Sequence, residues 1–165
     1  PEMTPLRNFL TNYLEPLWEK QLAKVHKKNE VNFETIKYYL SPSDFGFHNI
    51  LVDKKKLSFI DFEYAGIDDL AKLTTDFMLA PSVPITADQS YVFREYLMRH
   101  ADLDYNFSKR VDILYPIAQV KWICIILNDF IVSENDRKRF ADHNKRSDRL
   151  IKQLALARLR LNQVT

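Results

Sequence analysis

The chain has 165 residues, is 46% hydrophobic and 13% aromatic, and carries a net charge of +2. That length supports one ordinary domain with a real core, and that composition excludes wholesale disorder. The balance also excludes a global field for nucleic acid, although it is uneven: residues 134–165 hold nine Lys/Arg against four Asp/Glu, and residues 1–133 hold fifteen against eighteen.

Taken in chain order, Thr4-Pro5 is a helix start, with a capping hydroxyl and proline at the first helical position. Leu6, Phe9, Leu10, Tyr13, Leu14 and Leu17 then recur at helical spacing. Pro16 is predicted to kink or divide this helix, and the charged stretch Lys24 to Glu30 closes it. Asn32 is predicted to cap a second helix through Leu40, which Pro42 terminates. Ile50-Leu-Val and Leu57-Ser-Phe-Ile read as strands of a hairpin joined by Asp53-Lys-Lys-Lys. Asp69 is a cap for the next helix, whose Leu70, Leu73 and Phe77 share a face, and the Pro81–Pro84 stretch ends it. Ala87–His100 and Phe107–Val132 read as helices. A last helix from about Glu134 puts Leu150, Leu154, Ala157 and Leu161 on one stripe. There is no internal repeat, low-complexity segment or long linker, so residues 1–165 are read as a single domain, α+β and predominantly helical.

The lone Cys124 cannot form an internal disulfide and reads as a small core residue. Val111–Val132, broken by Asp112, Lys121 and Asp129, reads as a buried helix rather than a membrane span. With no signal-like N-terminus, a cytoplasmic setting is expected, and because the first residue is Pro1 a preceding segment is expected too. The only two glycines, Gly46 and Gly66, both fall near the hairpin, where unusual backbone angles are expected. Their scarcity leaves no Gly-rich loop to cover phosphates in this chain.

The chemistry concentrates in residues 41–66. Asp44 and Asn49 lie five apart in a loop, and Asp61 ends the second apolar run. A carboxylate that orients a hydroxyl and accepts its proton, beside two hard oxygen ligands for magnesium, is what metal-assisted phosphoryl transfer needs. Asp44 is the base candidate; Asn49 and Asp61 are the ligand candidates. Asp and Asn are also common in turns, where their side chains satisfy loop backbone, so spacing alone leaves both readings open. Asp53, in the hairpin turn, is expected to bond its own backbone.

The wider string resembles a known family. Ser-Asp-Phe-Gly-Phe-His-Asn-Ile-Leu, followed by Phe-Ile-Asp-Phe-Glu-Tyr-Ala-Gly, resembles the aminoglycoside phosphotransferase and choline kinase group of small-molecule kinases, which have a protein-kinase-like fold. The resemblance is specific over residues 42–76 and includes Asp69 as an acidic capping position. It implies that Asp44 is the catalytic base, that Asn49 and Asp61 bind Mg2+, and that ATP is the co-substrate. The Ile-Asp-Phe-Glu-Tyr-Ala run looks more like the choline kinase branch. Pro42 stands where the family usually has a loop-organising His, and Ser43 replaces a common Gly or Asn. His48 either faces the substrate or caps the loop; Glu63 is either an outer-shell acid or an exposed turn residue.

On this resemblance the chain is expected to be the C-terminal lobe of the fold. The catalytic loop and hairpin span 41–66, and a helical acceptor-side region spans 68–165. The N-terminal nucleotide lobe, with its sheet and phosphate-pairing Lys, is absent from this chain and is expected as a partner in the same or another chain. Trp18, Tyr38, Tyr39, Tyr64, Tyr91, Tyr96, Tyr115 and Trp122 are core or line an acceptor pocket. Asp102, Asp104, Asp112 and Asp129 are expected to be solvated, and Asp76, directly after the metal turn, is the candidate acceptor contact. The rival reading is a catalytically inactive kinase-like binding or scaffold module. A third is nucleic-acid binding through Arg137, Lys138, Arg139, Lys145, Arg146, Arg149 and Lys152, a run that usually forms a solvated face and has no aromatic platform here.

Overall fold

The computed structural model describes residues 3–27, 36–131 and 143–164. It is α+β and mainly helical, with two small antiparallel ribbons. Two compact units are present: residues 1–27 with 119–165, and residues 28–118.

In the first unit, α1 (Met3–Phe9) runs through a π-helical turn (Leu10–Leu14) into α2 (Glu15–Lys27). Pro16 cannot donate a backbone hydrogen bond, and the wider turn, closed by Glu15 N–H to the Leu10 carbonyl, lies just before it. The predicted division at Pro16 therefore takes the form of a bulge rather than a break. The final helix, α6 (His143–Leu161), buries Leu150, Leu154 and Ala157, the stripe read from its periodicity. These side chains pack with Leu6, Phe9, Leu14, Val120, Ile123, Ile126, Leu127 and Phe130 in one core cluster.

The second unit carries the strands. β1 (Tyr38–Ser41) pairs antiparallel with β4 (Gly66–Asp69), and β2 (Ile50–Asp53) pairs with β3 (Lys56–Phe59) across a Lys54-Lys55 turn. The hairpin is as predicted. The expected helix up to Leu40 is not: Asn32 lies outside the described residues, and Tyr38–Ser41 is extended because β4 takes up its backbone groups. The partner strand had no local signal, since Gly66-Ile-Asp-Asp is too short and polar to read as one. Leu40 sits opposite Ile67, and both are largely exposed, at 80% and 73%.

Three helices complete this part of the chain: α3 (Leu70–Leu79), α4 (Ala87–His100) and α5 (Phe107–Ile126), whose later residues belong to the first unit. Asp69 caps α3 by accepting the Ala71 N–H at 2.9 Å, as expected, and Leu70, Leu73 and Phe77 are buried. Thr86 and Gln89 form a reciprocal capping box on α4. Phe107–Phe130 is long and apolar enough to cross a membrane by length and composition, but Phe107, Val111, Ile113, Ala118, Val120 and Ile123 within it are buried in the protein.

Three sequence expectations are corrected. Neither glycine has a positive φ; the left-handed positions are Ser43, Lys54 and Asp61. Cys124 is exposed, on the outward side of its helix, rather than core. Tyr38, Tyr64, Tyr91 and Tyr96 are exposed, so they do not build the core; phenylalanines and aliphatic residues do.

Candidate functional site

The site is assembled on the segment between β1 and β4. After Ser41, the chain reverses tightly. Ser43 is left-handed, at φ 64°, which costs a non-glycine residue about 1–2 kcal/mol. Polar contacts hold it there. Its N–H bonds Ser41 Oγ at 3.0 Å, its Oγ accepts from Lys72 Nζ at 3.1 Å, and the next N–H, of Asp44, bonds the Pro42 carbonyl at 2.8 Å.

Lys72 anchors this turn from α3. Its ammonium lies 2.6 Å from Asp68, at the end of β4, and 3.4 Å from Asp76, one turn further along α3. Partial burial depresses the Lys72 pKa, but the hydrogen bond to Asp68 and the charge of Asp76 outweigh it, leaving the group above its ordinary value. Lys72 is therefore a fixed cation at neutral pH. Asp76 is buried and is one of its partners.

The loop then locks on itself. Asn49 donates its side-chain amide to the Asp44 carbonyl at 2.9 Å, and its backbone N–H bonds the Gly46 carbonyl at 3.0 Å. His48 folds back so that Nε2 is 3.4 Å from Asp44 Oδ1. Its ring lies over Gly46, where an added Cβ would sit 2.6 Å from ring atoms. Gly46 is thus required by close approach of the imidazole, with its backbone in ordinary extended geometry. The other ring nitrogen, Nδ1, is buried with no hydrogen-bond partner among the described residues.

The hairpin brings in Asp61. Ile60 N–H bonds the Asn49 carbonyl at 3.0 Å, extending the β2–β3 ladder by one step, so Asp61 follows directly after the residue paired with Asn49. Asp61 is left-handed at φ 62° and exposed, with no hydrogen bond or ion pair among the described residues. Asp44, His48 and Asn49 are joined by direct contacts, and Asp61 is brought to the same end of the hairpin by backbone pairing. Glu63 is exposed in the turn closed by Ala65 N–H to the Phe62 carbonyl. Strained non-glycine residues on both sides of a polar loop are a mark of sites where geometry serves chemistry.

Around this loop lies a second layer that sequence reasoning missed. Arg110 is almost fully buried and grips both Asp69, at 2.7 and 3.0 Å, and Asp104, at 2.6 and 2.8 Å. The guanidinium holds the Asp104 carboxyl below the usual carboxylate range, and its own pKa is raised by Asp104 and Asp69. Asp104 is only six residues from Arg110, but Asp69 is 41 away, and no local pattern announces that the three meet. Lys72 was better signposted, since Asp68, Lys72 and Asp76 share the spacing of successive helical turns. Of the other acidic candidates, Asp102 and Asp112 are exposed, as expected, while pairing with Lys37 and Arg94; Asp129, paired with Arg149, is mostly buried, as is Asp104.

Five phenylalanines pack beside the loop. Phe77 has Phe93, Phe45 and Phe47 at ring-centroid distances of 4.4, 5.3 and 5.4 Å, and Phe45 stacks on Phe93 and Phe59 at 5.9 and 6.1 Å. In the basic segment, Arg137, Lys138 and Arg139 lie outside the described residues. Comparison with family models, curated proteins and solved structures returns no match.

Among the described residues, no three His, Cys, Asp or Glu side chains converge as a metal cage. The oxygen set of Asn49 and Asp61 is of another kind. With the Asn49 nitrogen engaged by the Asp44 carbonyl, its side-chain oxygen is the remaining donor, and Asp61 adds a carboxylate. Two hard oxygens fit Mg2+, which keeps several waters and phosphate oxygens in its shell, better than a metal that needs a closed protein cage.

Proposed function

We propose that this chain is the C-terminal catalytic lobe of a small-molecule kinase, transferring the γ-phosphoryl group of ATP to a hydroxyl of a small acceptor. The observation that carries the reading is the locked loop: Asn49 holds the Asp44 carbonyl with its side chain and Ile60 with its backbone, tying base candidate and ligand candidates to one rigid unit. The likeness of residues 42–76 to the aminoglycoside phosphotransferase and choline kinase group supports it.

The Asp44 carboxylate orients the acceptor hydroxyl and takes its proton as the new O–P bond forms and the bond to the ADP oxygen breaks. His48, 3.4 Å away, steadies that carboxylate. Asn49 and Asp61 would hold Mg2+, which supplies charge neutralisation on the phosphates when bound. Lys72, through Ser43 Oγ, fixes the turn that aims Asp44, a task that Pro42 cannot perform with a side chain. A glycine-rich phosphate cover is supplied by a further lobe.

Two measurements test this. Mn2+ titration followed by water-proton relaxation is expected to show one weak site lost in Asn49→Ala and in Asp61→Asn. In the kinase assembled with its nucleotide lobe, Asp44→Ala is expected to lower transfer by roughly 10²–10⁴-fold, the usual worth of a positioned general base. Unchanged transfer in Asp44→Ala rejects the mechanism and favours the inactive binding module.

A further inference from the structure

The second unit holds a cavity of about 440 Å³, within the size range of small-molecule sites. Its walls are Phe45, Phe47, Phe77, Val92, Phe93 and Tyr96. Phe45 immediately follows Asp44, and Phe47 lies on the same locked loop, so one wall of the cavity begins next to the base candidate.

The polar groups at this cavity are few. Gln89 lines it, but its side-chain carbonyl accepts the Thr86 N–H at 2.8 Å in the capping box. Asp88 is the one charged liner, exposed in the first turn of α4, where a carboxylate complements the helix dipole. A polyhydroxylated or polycationic molecule would bring many hydroxyls or ammonium groups against walls whose polar groups are the Tyr96 phenol, the Gln89 amide and the Asp88 carboxylate alone, leaving most of them unpaired. The rings are also engaged with neighbours: Phe45 stacks on Phe59 and on Phe93, and Tyr96 stacks on His100, which leaves less ring face for a cation.

Resting on the phosphotransferase reading above, we propose that this cavity seats the acceptor, and that the acceptor is a neutral alcohol with a compact apolar or aromatic body, its hydroxyl directed to Asp44. The apolar body fills the space between the Phe45–Phe47 loop, Phe77 of α3, and Val92, Phe93 and Tyr96 of α4. Sugars and aminoglycosides, with many polar groups to satisfy, fit these walls poorly, and choline, whose quaternary ammonium aromatic rings attract, is the rival that the test must separate.

The test is saturation-transfer NMR on the full chain, with 2-phenylethanol, choline and glucose as probes, so that binding is read without any phosphoryl transfer. Val92→Glu places a carboxylate over the cavity at a position 63% exposed, where the fold tolerates it. The expected result is binding of 2-phenylethanol alone, weakened about tenfold or more by Val92→Glu, because burying a carboxylate against apolar walls is unfavourable. Tyr96→Ala, at another exposed wall position, is expected to weaken it as well, and serves if Val92→Glu misfolds. Tighter binding of choline or glucose, no binding of 2-phenylethanol, or binding that neither variant weakens overturns the proposal. So does a dimer by sedimentation that Val92→Glu dissolves, since a second copy would then fill the cavity. Binding that Val92→Glu weakens, together with no transfer by the assembled kinase, leaves the ligand class standing and overturns the phosphotransferase reading instead.

Discussion

The unit of residues 1–27 and 119–165 and the unit of residues 28–118 are stabilised by different physics. The first is an aliphatic helix core built from Leu6, Leu14, Ile123, Ile126, Leu150 and Leu154, and burial accounts for it. The second places a guanidinium among its buried groups, keeps Leu40, Val52 and Ile67 in solvent, and holds Ser43, Lys54 and Asp61 at left-handed backbone angles. Those features each oppose folding, and the hydrophobic cluster around Leu70, Leu73, Phe107 and Val111 has to offset them. The contrast teaches where to look for function: the left-handed non-glycine residues and the fully buried guanidinium all fall in the second unit, whereas the first has, among its described residues, no left-handed residue and the less deeply buried Asp129–Arg149 pair.

The comparison is broken most forcefully at Arg110. Arg110→Ala leaves the carboxylates of Asp69 and Asp104 without their cation, and is expected to cost about 3–5 kcal/mol in urea unfolding. In the other unit, Ile123→Ala removes a fully buried aliphatic side chain and is expected to cost about 2–5 kcal/mol by cavity formation. The two differ in kind. Salt should soften the first loss and leave the second untouched, and equal salt responses would erase the distinction between the units.

Gly46→Ala is expected to cost roughly 1 kcal/mol, less than a rigid overpacking clash, because the half-buried His48 ring can swing away. The ring then leaves Asp44, which the His48 Hε1 chemical shift should report. A stable variant with an unshifted ring would show that Gly46 is not needed for close approach.

Acid sharpens the contrast further. Arg110 lowers the folded-state pKa of Asp104, so the stabilisation is fully present above the ordinary carboxylate value of about 3.9 and is lost as pH falls through the folded value. Thermal unfolding followed from pH 7 to pH 2 is expected to show this loss in the wild type, and a shallower one in Asp104→Asn. Smallest of all is Lys54→Gly, which relieves a left-handed lysine in the hairpin turn and is expected to stabilise by less than about 1 kcal/mol in the same measurement.

Much of this was legible in the residues themselves. The hairpin, the Asp69 cap and the helix Ala87–His100 follow from alternation, capping chemistry and periodicity, which act over a few residues. The stripe of Leu150, Leu154 and Ala157 was readable for the same reason. The strand Tyr38–Ser41 was misread as helix because its extended form depends on Gly66–Asp69, a partner that carries no strand signal of its own. Around the candidate site, Asp44, Asn49 and Asp61 were legible as residue types in a pattern. The unusual backbone angles were assigned to the glycines, when hydrogen bonds impose them on Ser43 and the chain path imposes them on Asp61.

What the sequence alone determined is therefore the mainly helical class with its small β insertion, and the polar residue types set around that insertion, because periodicity, capping and side-chain type are local properties. Only the tertiary structure decided that β1 is a strand, that Arg110 joins Asp69 to Asp104, that Lys72 braces Ser43, and that five phenylalanines meet beside Asp44. Each of those depends on groups brought together across long stretches of chain. Such contacts form only when the loops between them close, and no local pattern encodes that closure.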